Sequence, residues 1–300
     1  MAVEEERIVL LPDPSRRLPA VDPDDHALFI SLGCALENLA VAAREEGYEV
    51  EVDDSGLDGE DPAITVHLRA GGAGDGQGSD LYAAIPKRQS TRRPYDGRTI
   101  PPADLRRLEG ASRRDGVEFH LFTDQAEIEP LIGLVEEANR RQSRDPDFVE
   151  ELIAWIRFNP PEVEGRRDGL THAAMGLPPV PRWLGGVVMK RLVTPASQAR
   201  SAARAIRSSS AMMLFTTDRS GPRGWVDLGR SFERVALTAT TLDIKQAHMN
   251  MPCEVPALRN ELRSHLALGG AEPLLLLRIG YSKAMPASPR RPIEETLMKG

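Results

Sequence analysis

Arg88, Ser90 and Arg92 alternate along the run Lys87-Arg88-Gln89-Ser90-Thr91-Arg92-Arg93, so an extended turn would aim their side chains to one side. Two guanidiniums and a hydroxyl in that arrangement suit a phosphate. The guanidinium fork matches paired oxygens, and each charge-assisted hydrogen bond contributes roughly 1.5–3 kcal/mol. The alternative is a solvated basic turn, and Lys87 and Arg93 are read as surface charge. The six histidines, at 26, 67, 120, 172, 248 and 265, show no ligand spacing with cysteines or carboxylates, so no metal site is expected. Cys34 and Cys253 are too few for a disulfide framework and are read as reduced thiols packed as small apolar groups. Residues 219–224 and the run AGGAGDG lack the strand and helix context of a nucleotide-binding loop and are read as turns. Trp155 and Trp183 could belong to a lid or to the core, and are read as core.

The 300 residues are 41% hydrophobic and 28% charged, enough for a packed core in one large domain or two modest ones. Aromatics at 5% and a net charge of −7 argue against a nucleic-acid partner, so any anion site must be built locally. No run is expected to reach the ~20 apolar residues of a membrane span. The start MAVEEERIVLLP lacks a signal-peptide layout, and the cytoplasm is the expected compartment.

The elements around the basic turn are legible. A short apolar strand over residues 8–11 leads into a connection punctuated by Pro12, Pro14, Pro19 and Pro23. Leu32, Leu36, Leu39 and Ala43 form one stripe of a buried helix over 30–46, stopped by Gly47. A strand over 64–69 and a Gly-rich linker over 70–80 follow. Pro102 opens a helix through Leu105 and Leu108, and residues 117–124 alternate as a strand. Asp124 and Glu127 suggest a capping box for the helix bearing Ile128, Leu131, Ile132 and Val135. A helix from 145 is expected to stop at Pro160 and Pro161, and residues 160–195 to form a lid-like excursion. Residues 190–207 read as a solvated basic helix. Helices over 224–244 and 255–268, a central strand over 272–281 and a basic tail over 288–292 complete the chain.

Residues 29–43 and 225–239 repeat each other at a shift of 196, matching Leu, Gly, Glu and two Ala residues. The strands that follow share Leu-Arg-x-Gly, at 68–71 and 277–280, a shift of 209. Two amphipathic helices can look alike by chance, but a helix and its following strand together favour an internal duplication. A duplicated chain mimics a homodimer, with sites at the pseudo-twofold interface.

The run Arg88 to Arg92, then Tyr95 and the Ile100-Pro101 helix entry, resembles the opening motif of the nitroreductase family. The resemblance extends through Pro252 and Glu254, similar to the family's Pro-x-Glu segment, and through LLLLRIGY to Arg290 and Arg291. The order of motifs over residues 8–36 looks like the Acg-like branch, in which two nitroreductase halves share one chain and a lid partly covers a single flavin. That branch carries a Pro-Ser-x-His-Asn-x-Gln-Pro-Trp segment ahead of its first strand. This sequence has none before Arg7, which leaves open a shortened chain or a site without that contribution.

The resemblance implies an α+β, nitroreductase-like fold, an internal pseudo-dimer with a lid excursion. Residues 1–70 would be an incomplete first half, 71–80 a linker, and 81–300 the half carrying the flavin motif. It implies FMN as cofactor, held by Arg88, Ser90, Arg92, Pro252, Glu254, Arg290 and Arg291. Arg88, Ser90 and Arg290 or Arg291 would neutralise its phosphate, Arg92 would lie near the N1–C2=O edge, and Cys253 would sit beside the flavin. NAD(P)H would donate electrons to a nitroaromatic, quinone or similar small acceptor, with no protein catalytic residue required. A flavin-sequestering stress protein and a scaffold that has lost flavin are the alternatives. Neither nucleic acid nor membrane is an expected partner, and the oligomeric state would be a monomer or a weak homodimer.

Overall fold

The first apolar run pairs into an antiparallel sheet in the computed structural model, which describes residues 1–4, 6–71, 78–192 and 194–297. Strands β1 (Ala2–Glu4) and β2 (Arg7–Leu10) are followed by helix α1 (His26–Glu45), β3 (Tyr48–Asp53) and β4 (Ile64–Ala70). The order is β1-β2-β4-β3, with Leu10, Ile64 and Val66 turned onto Leu32 and Leu36 of α1. Gly47 stops the helix with a φ of 85°. The helix starts four residues before its expected beginning because the Asp22 carboxylate accepts the N–H groups of Ala27 and Leu28. By length and composition α1 does qualify for a bilayer span, against expectation, but over half of that stretch is buried within the fold. Most of the expected Gly-rich linker lies outside the described residues.

Helices α2 (Gly78–Ala84) and α3 (Pro102–Ala111) precede β5 (Val117–Phe122) and α4 (Gln125–Gln142). Asp124 caps α4 through the Ala126 N–H. Next come α5 (Pro146–Trp155), β6 (Ile156–Arg157), α6 (Pro160–Arg166), β7 (Leu170–Thr171), α7 (Arg182–Leu192) and α8 (Pro195–Arg207). Pro160 and Pro161 thus open a helix rather than end one: Asn159 caps it, and proline at the first helical position loses no hydrogen bond. The expected solvated helix is amphipathic instead. Ala199, Ala202, Ala203 and Ile206 of α8 are buried against α4, and the arginines at 200, 204 and 207 point away.

The remaining elements are β8 (Ala211–Thr217), α9 (Pro222–Thr241), β9 (Lys245–His248), α10 (Met251–Glu254), α11 (Pro256–His265) and β10 (Glu272–Gly280). They build a second antiparallel sheet, β5-β8-β10-β9, with every residue of β8 buried. Its strand periodicity splits the core: Met212 and Leu214 face α4 and α8, while Met213 and Phe215 face α9.

Helices α1 and α9 cross at their glycines. A Cβ on Gly33 would sit 2.1 Å from the Val226 carbonyl oxygen, and one on Gly229 would sit 2.1 Å from that of Ile30. Both contacts map onto each other under the shift of 196. The same holds for Asn38, which donates to Glu233 at 3.0 Å, and Arg234, which donates to Glu37 at 2.9 Å. Both glutamates are buried, Glu37 being further ringed by Arg114 and Arg230.

Candidate functional site

The basic turn runs beside β9. Ser90 forms a parallel bridge with Gln246, and the Thr91 N–H donates to the Gln246 carbonyl at 2.8 Å. Its shape is set from behind by the fully buried Arg278, the arginine of the repeated Leu-Arg-x-Gly. One Nη donates to the carbonyls of Thr91 and Arg93, the other to that of Ala205. The same guanidinium lies 3.9 Å from the centre of the Tyr95 ring. An arginine taken wholly out of water needs such partners, so the turn and the strand specify each other.

Thr91 is buried and Arg92 exposed, but the turn does not alternate as expected: Arg88, Gln89 and Ser90 are all half-buried, and Arg93 is exposed like Arg92. The Nε of Arg88, however, is 2.7 Å from the buried Glu233 carboxylate, so one edge of that guanidinium is engaged with protein. His248, at the end of β9, shares the cleft wall with Arg92 and lies within electrostatic reach of Arg88. Confinement in a concave surface and repulsion by these two cations pull the His248 ring down to about 4. Solvent still reaches the ring from the open side, and Phe232 packs against it with centroids 5.4 Å apart.

Arg92 and His248 open onto a cleft of about 740 Å³ between α4, α5, α8, α10 and the connection before α1. Leu18, Val21, Phe148, Leu152, Trp155, Met249 and Met251 supply apolar wall. Arg92 is the one guanidinium on that wall among the described residues, and Glu151 and Glu254 are its carboxylates. Glu254 accepts from Gln142 Nε2 at 2.7 Å, and burial pushes its carboxyl above the ordinary range. Glu151 accepts the N–H groups of Ala20 and Val21, both at 3.1 Å, and so pins the proline-punctuated connection over one side of the cleft. Only Gly169 and Leu170 of the expected lid excursion line it.

Of the residues picked from sequence, Arg92 and Glu254 share the cleft wall, Pro252 is buried behind it in α10, and Arg88 and Ser90 lie in the adjoining turn. Arg290 is exposed, without a partner among the described residues, and Arg291 lies 4.0 Å from Asp13; neither lines the cleft. Cys253 is fully buried and its thiol is pushed up by burial, which opposes thiolate chemistry. Trp155 is a cleft wall, and Trp183 is 75% exposed rather than core, because α7 presents it to solvent. Gln142, Glu151, His248 and Arg278 were not singled out by sequence. The lone arginine in the apolar run of β10 was the one available signal.

A cluster also forms that sequence spacing did not suggest. His26 Nδ1 lies 2.8 Å from Asp22 and 2.5 Å from Asp24, and the three offer ligand atoms close enough for a metal ion. Arg259, 3.1 Å from Asp24, supplies compensating charge, so the cluster reads as a hydrogen-bonded clasp between the start of α1 and α11.

No protein-family model matches the chain. Two curated proteins of Mycobacterium tuberculosis strains, "Putative NAD(P)H nitroreductase Rv3131" and its counterpart MT3217, are 23% identical over 292 residues, covering 95% of this chain and 80% of theirs. Among solved structures, the FMN-dependent nitroreductase NfnB of Mycobacterium smegmatis in complex with NADPH superposes with a TM-score of 0.50 at 13% identity, covering 75% of this chain and 99% of that one. The chain is related in sequence to these nitroreductase-named proteins and has the α+β fold of the nitroreductases.

Proposed function

We propose that this chain is an FMN-dependent oxidoreductase of the nitroreductase type, taking hydride from NAD(P)H and reducing a small acceptor such as a nitroaromatic or quinone. The observation that carries this reading is the cleft: about 740 Å³, walled in large part by aliphatic, aromatic and thioether side chains, with Arg92 its one guanidinium among the described residues and its carboxylates, Glu151 and Glu254, accepting protein N–H groups. That size and lining suit a flat, mostly apolar ring system bearing negative charge at one edge. FMN, when bound, would supply the hydride and electron transfer. Arg92 would stabilise charge on the ring system, and Glu254 with its backbone neighbours would hydrogen-bond to its edge. Arg88, Ser90 and Arg290 are the proposed phosphate contacts; Arg88 keeps a quarter of its side chain exposed beyond Glu233. His248, neutral at pH 7, would offer a hydrogen bond without adding charge.

We also read residues 1–70 and 81–300 as unequal halves of a pseudo-dimer of the Acg-like kind. The reciprocal glycine and glutamate contacts of α1 and α9 support that reading. It favours a monomer or weak homodimer. The cover that Glu151 holds over the cleft favours a second reading, a protein that sequesters flavin without turnover.

Adding NADPH or NADH anaerobically to the FMN-loaded protein separates these readings. Bleaching of the flavin absorbance is the result expected of the oxidoreductase. Persistent yellow colour would favour sequestration, and a protein that takes up no FMN would overturn both.

A further inference from the structure

Beyond Trp155, which lines both, lies a second concavity of about 410 Å³ walled by Ser15, Arg16, Arg157, Arg166, Asp168 and Arg182. So many guanidiniums stand out in a chain of net charge −7. Arg157 is buried and spends its nitrogens on Asp168 and on the carbonyls of Ala154 and Ile156. Arg16 reaches Asp168 at 2.9 Å and Asp13 at 3.3 Å, and both arginines lie near the Trp155 ring, 5.7 and 5.8 Å from its centre. Arg182 is 3.5 Å from Glu162, and Arg291 is 4.0 Å from Asp13. Arg166, at the end of α6, is exposed and has no partner among the described residues.

Four guanidiniums, with Arg291 lying outside the pocket wall, therefore share three carboxylates and Arg166 has none among the described residues, in a frame whose inner members are locked by hydrogen bonds. The excess is two positive charges, which a dianionic phosphomonoester neutralises; a carboxylate or phosphodiester leaves one unmatched. We propose that this pocket takes the 2′-phosphate of NADPH while the nicotinamide end of the same molecule enters the neighbouring cleft. The inference rests on the oxidoreductase reading of that cleft, and it makes NADPH, not NADH, the preferred donor. Arg166 is the residue that discriminates, because the other arginines already hold protein carboxylates.

Titration calorimetry of the full chain with adenosine 2′,5′-bisphosphate, 5′-AMP and inorganic phosphate tests this without turnover. The bisphosphate should bind at least tenfold more tightly than 5′-AMP. Arg166→Ala should abolish most of that preference, Arg166→Lys should retain part of it, and Arg113→Ala, on a different surface, should leave it unchanged. Equal affinity for the two nucleotides would overturn the proposal. So would indifference to Arg166→Ala, or inorganic phosphate binding as tightly as the bisphosphate, which marks an adventitious anion site only. FMN uptake, measured on the same samples, separates the two readings. Uptake without the nucleotide preference sinks this proposal alone, and the preference without FMN uptake sinks the cleft reading and NADPH's role as donor, leaving only a 2′-phosphate site.

Discussion

Gly33→Ala should destabilise the protein although alanine is the better helix former. A Cβ at position 33 would stand 2.1 Å from the Val226 carbonyl oxygen, where real Cβ atoms essentially never approach within 3.0 Å. The obstacle is backbone, so α1 and α9 must part by about 1 Å along a crossing lined with Leu32, Leu36, Val226 and Leu228. Overpacking of this kind costs typically about 1–3 kcal/mol, and a backbone clash belongs at or above the upper end. Replacing a helical glycine returns up to about 1 kcal/mol. The net is a loss of about 2 kcal/mol, or roughly 3–6 °C in Tm for a chain of this size. Gly229→Ala should behave alike, and the double variant should lose less than the sum, since helices already parted accommodate the second methyl. Gly133→Ala, on the exposed face of α4 with nothing within 4 Å, is the control and should be neutral or slightly stabilising. Thermal and urea unfolding of the four variants decide the matter. If Gly33→Ala matches Gly133→Ala, or the two crossing variants add fully, the close crossing is refuted.

Arg88→Ala should cost about 3 kcal/mol, the low end for breaking a buried pair because a quarter of Arg88 is exposed. Burial already raises the Glu233 carboxyl, and losing Arg88 raises it further. The folded chain then keeps a proton that the unfolded chain has released, so the penalty grows as pH rises and should be smaller at pH 5 than at pH 8 in urea unfolding; the opposite slope would refute the pairing. The depressed His248 works with the other sign. Between about 4 and the unfolded value near 6.5 the unfolded chain binds more protons, so this contribution to stability is lost as pH falls through that window. Its imidazole should titrate near 4 by NMR, and a midpoint near 6.5 would show that neither its confinement nor Arg92 and Arg88 act on it. Glu151→Ala removes both acceptors of the Ala20 and Val21 amides, whose hydrogen exchange should accelerate roughly tenfold or more with little change in global stability; unchanged exchange would mean the connection is held elsewhere.

Long periodic elements and the unbroken leucine run of β10 were readable from the chain, and other elements whose pattern is erased by burial or by charge were not. The stripe Leu32, Leu36, Ala43 gave α1, and Leu228, Phe232, Val235, Ala239 gave α9, because one side of each faces the core. Strand β8, Ala-Met-Met-Leu-Phe-Thr-Thr, went unread because burial on both faces leaves it no period and it lacks the unbroken leucine run that marked the equally buried β10. Strand β3, Tyr-Glu-Val-Glu-Val-Asp, hides its alternation of Val50 and Val52 behind strong helix formers at an exposed sheet edge. At the site, the basic turn and the Glu254 segment were legible as local motifs. Gln142, Glu151 and Trp155 were not, because α4, α5 and the connection before α1 meet only in the folded chain. The partner of Arg88 was half visible: Glu233 was a matched position of the repeat, but nothing local says that a conserved pattern position will be a buried anion.

Quenching of flavin fluorescence on titration with the protein measures directly whether the cleft beside Arg92 binds FMN. Saturable binding of one FMN per chain is expected, weakened about ten- to a hundredfold by Arg92→Ala, the loss of one charge-assisted contact, and unaffected by Arg140→Ala on α4. No saturable quenching, or equal losses for the two arginine variants, would contradict it.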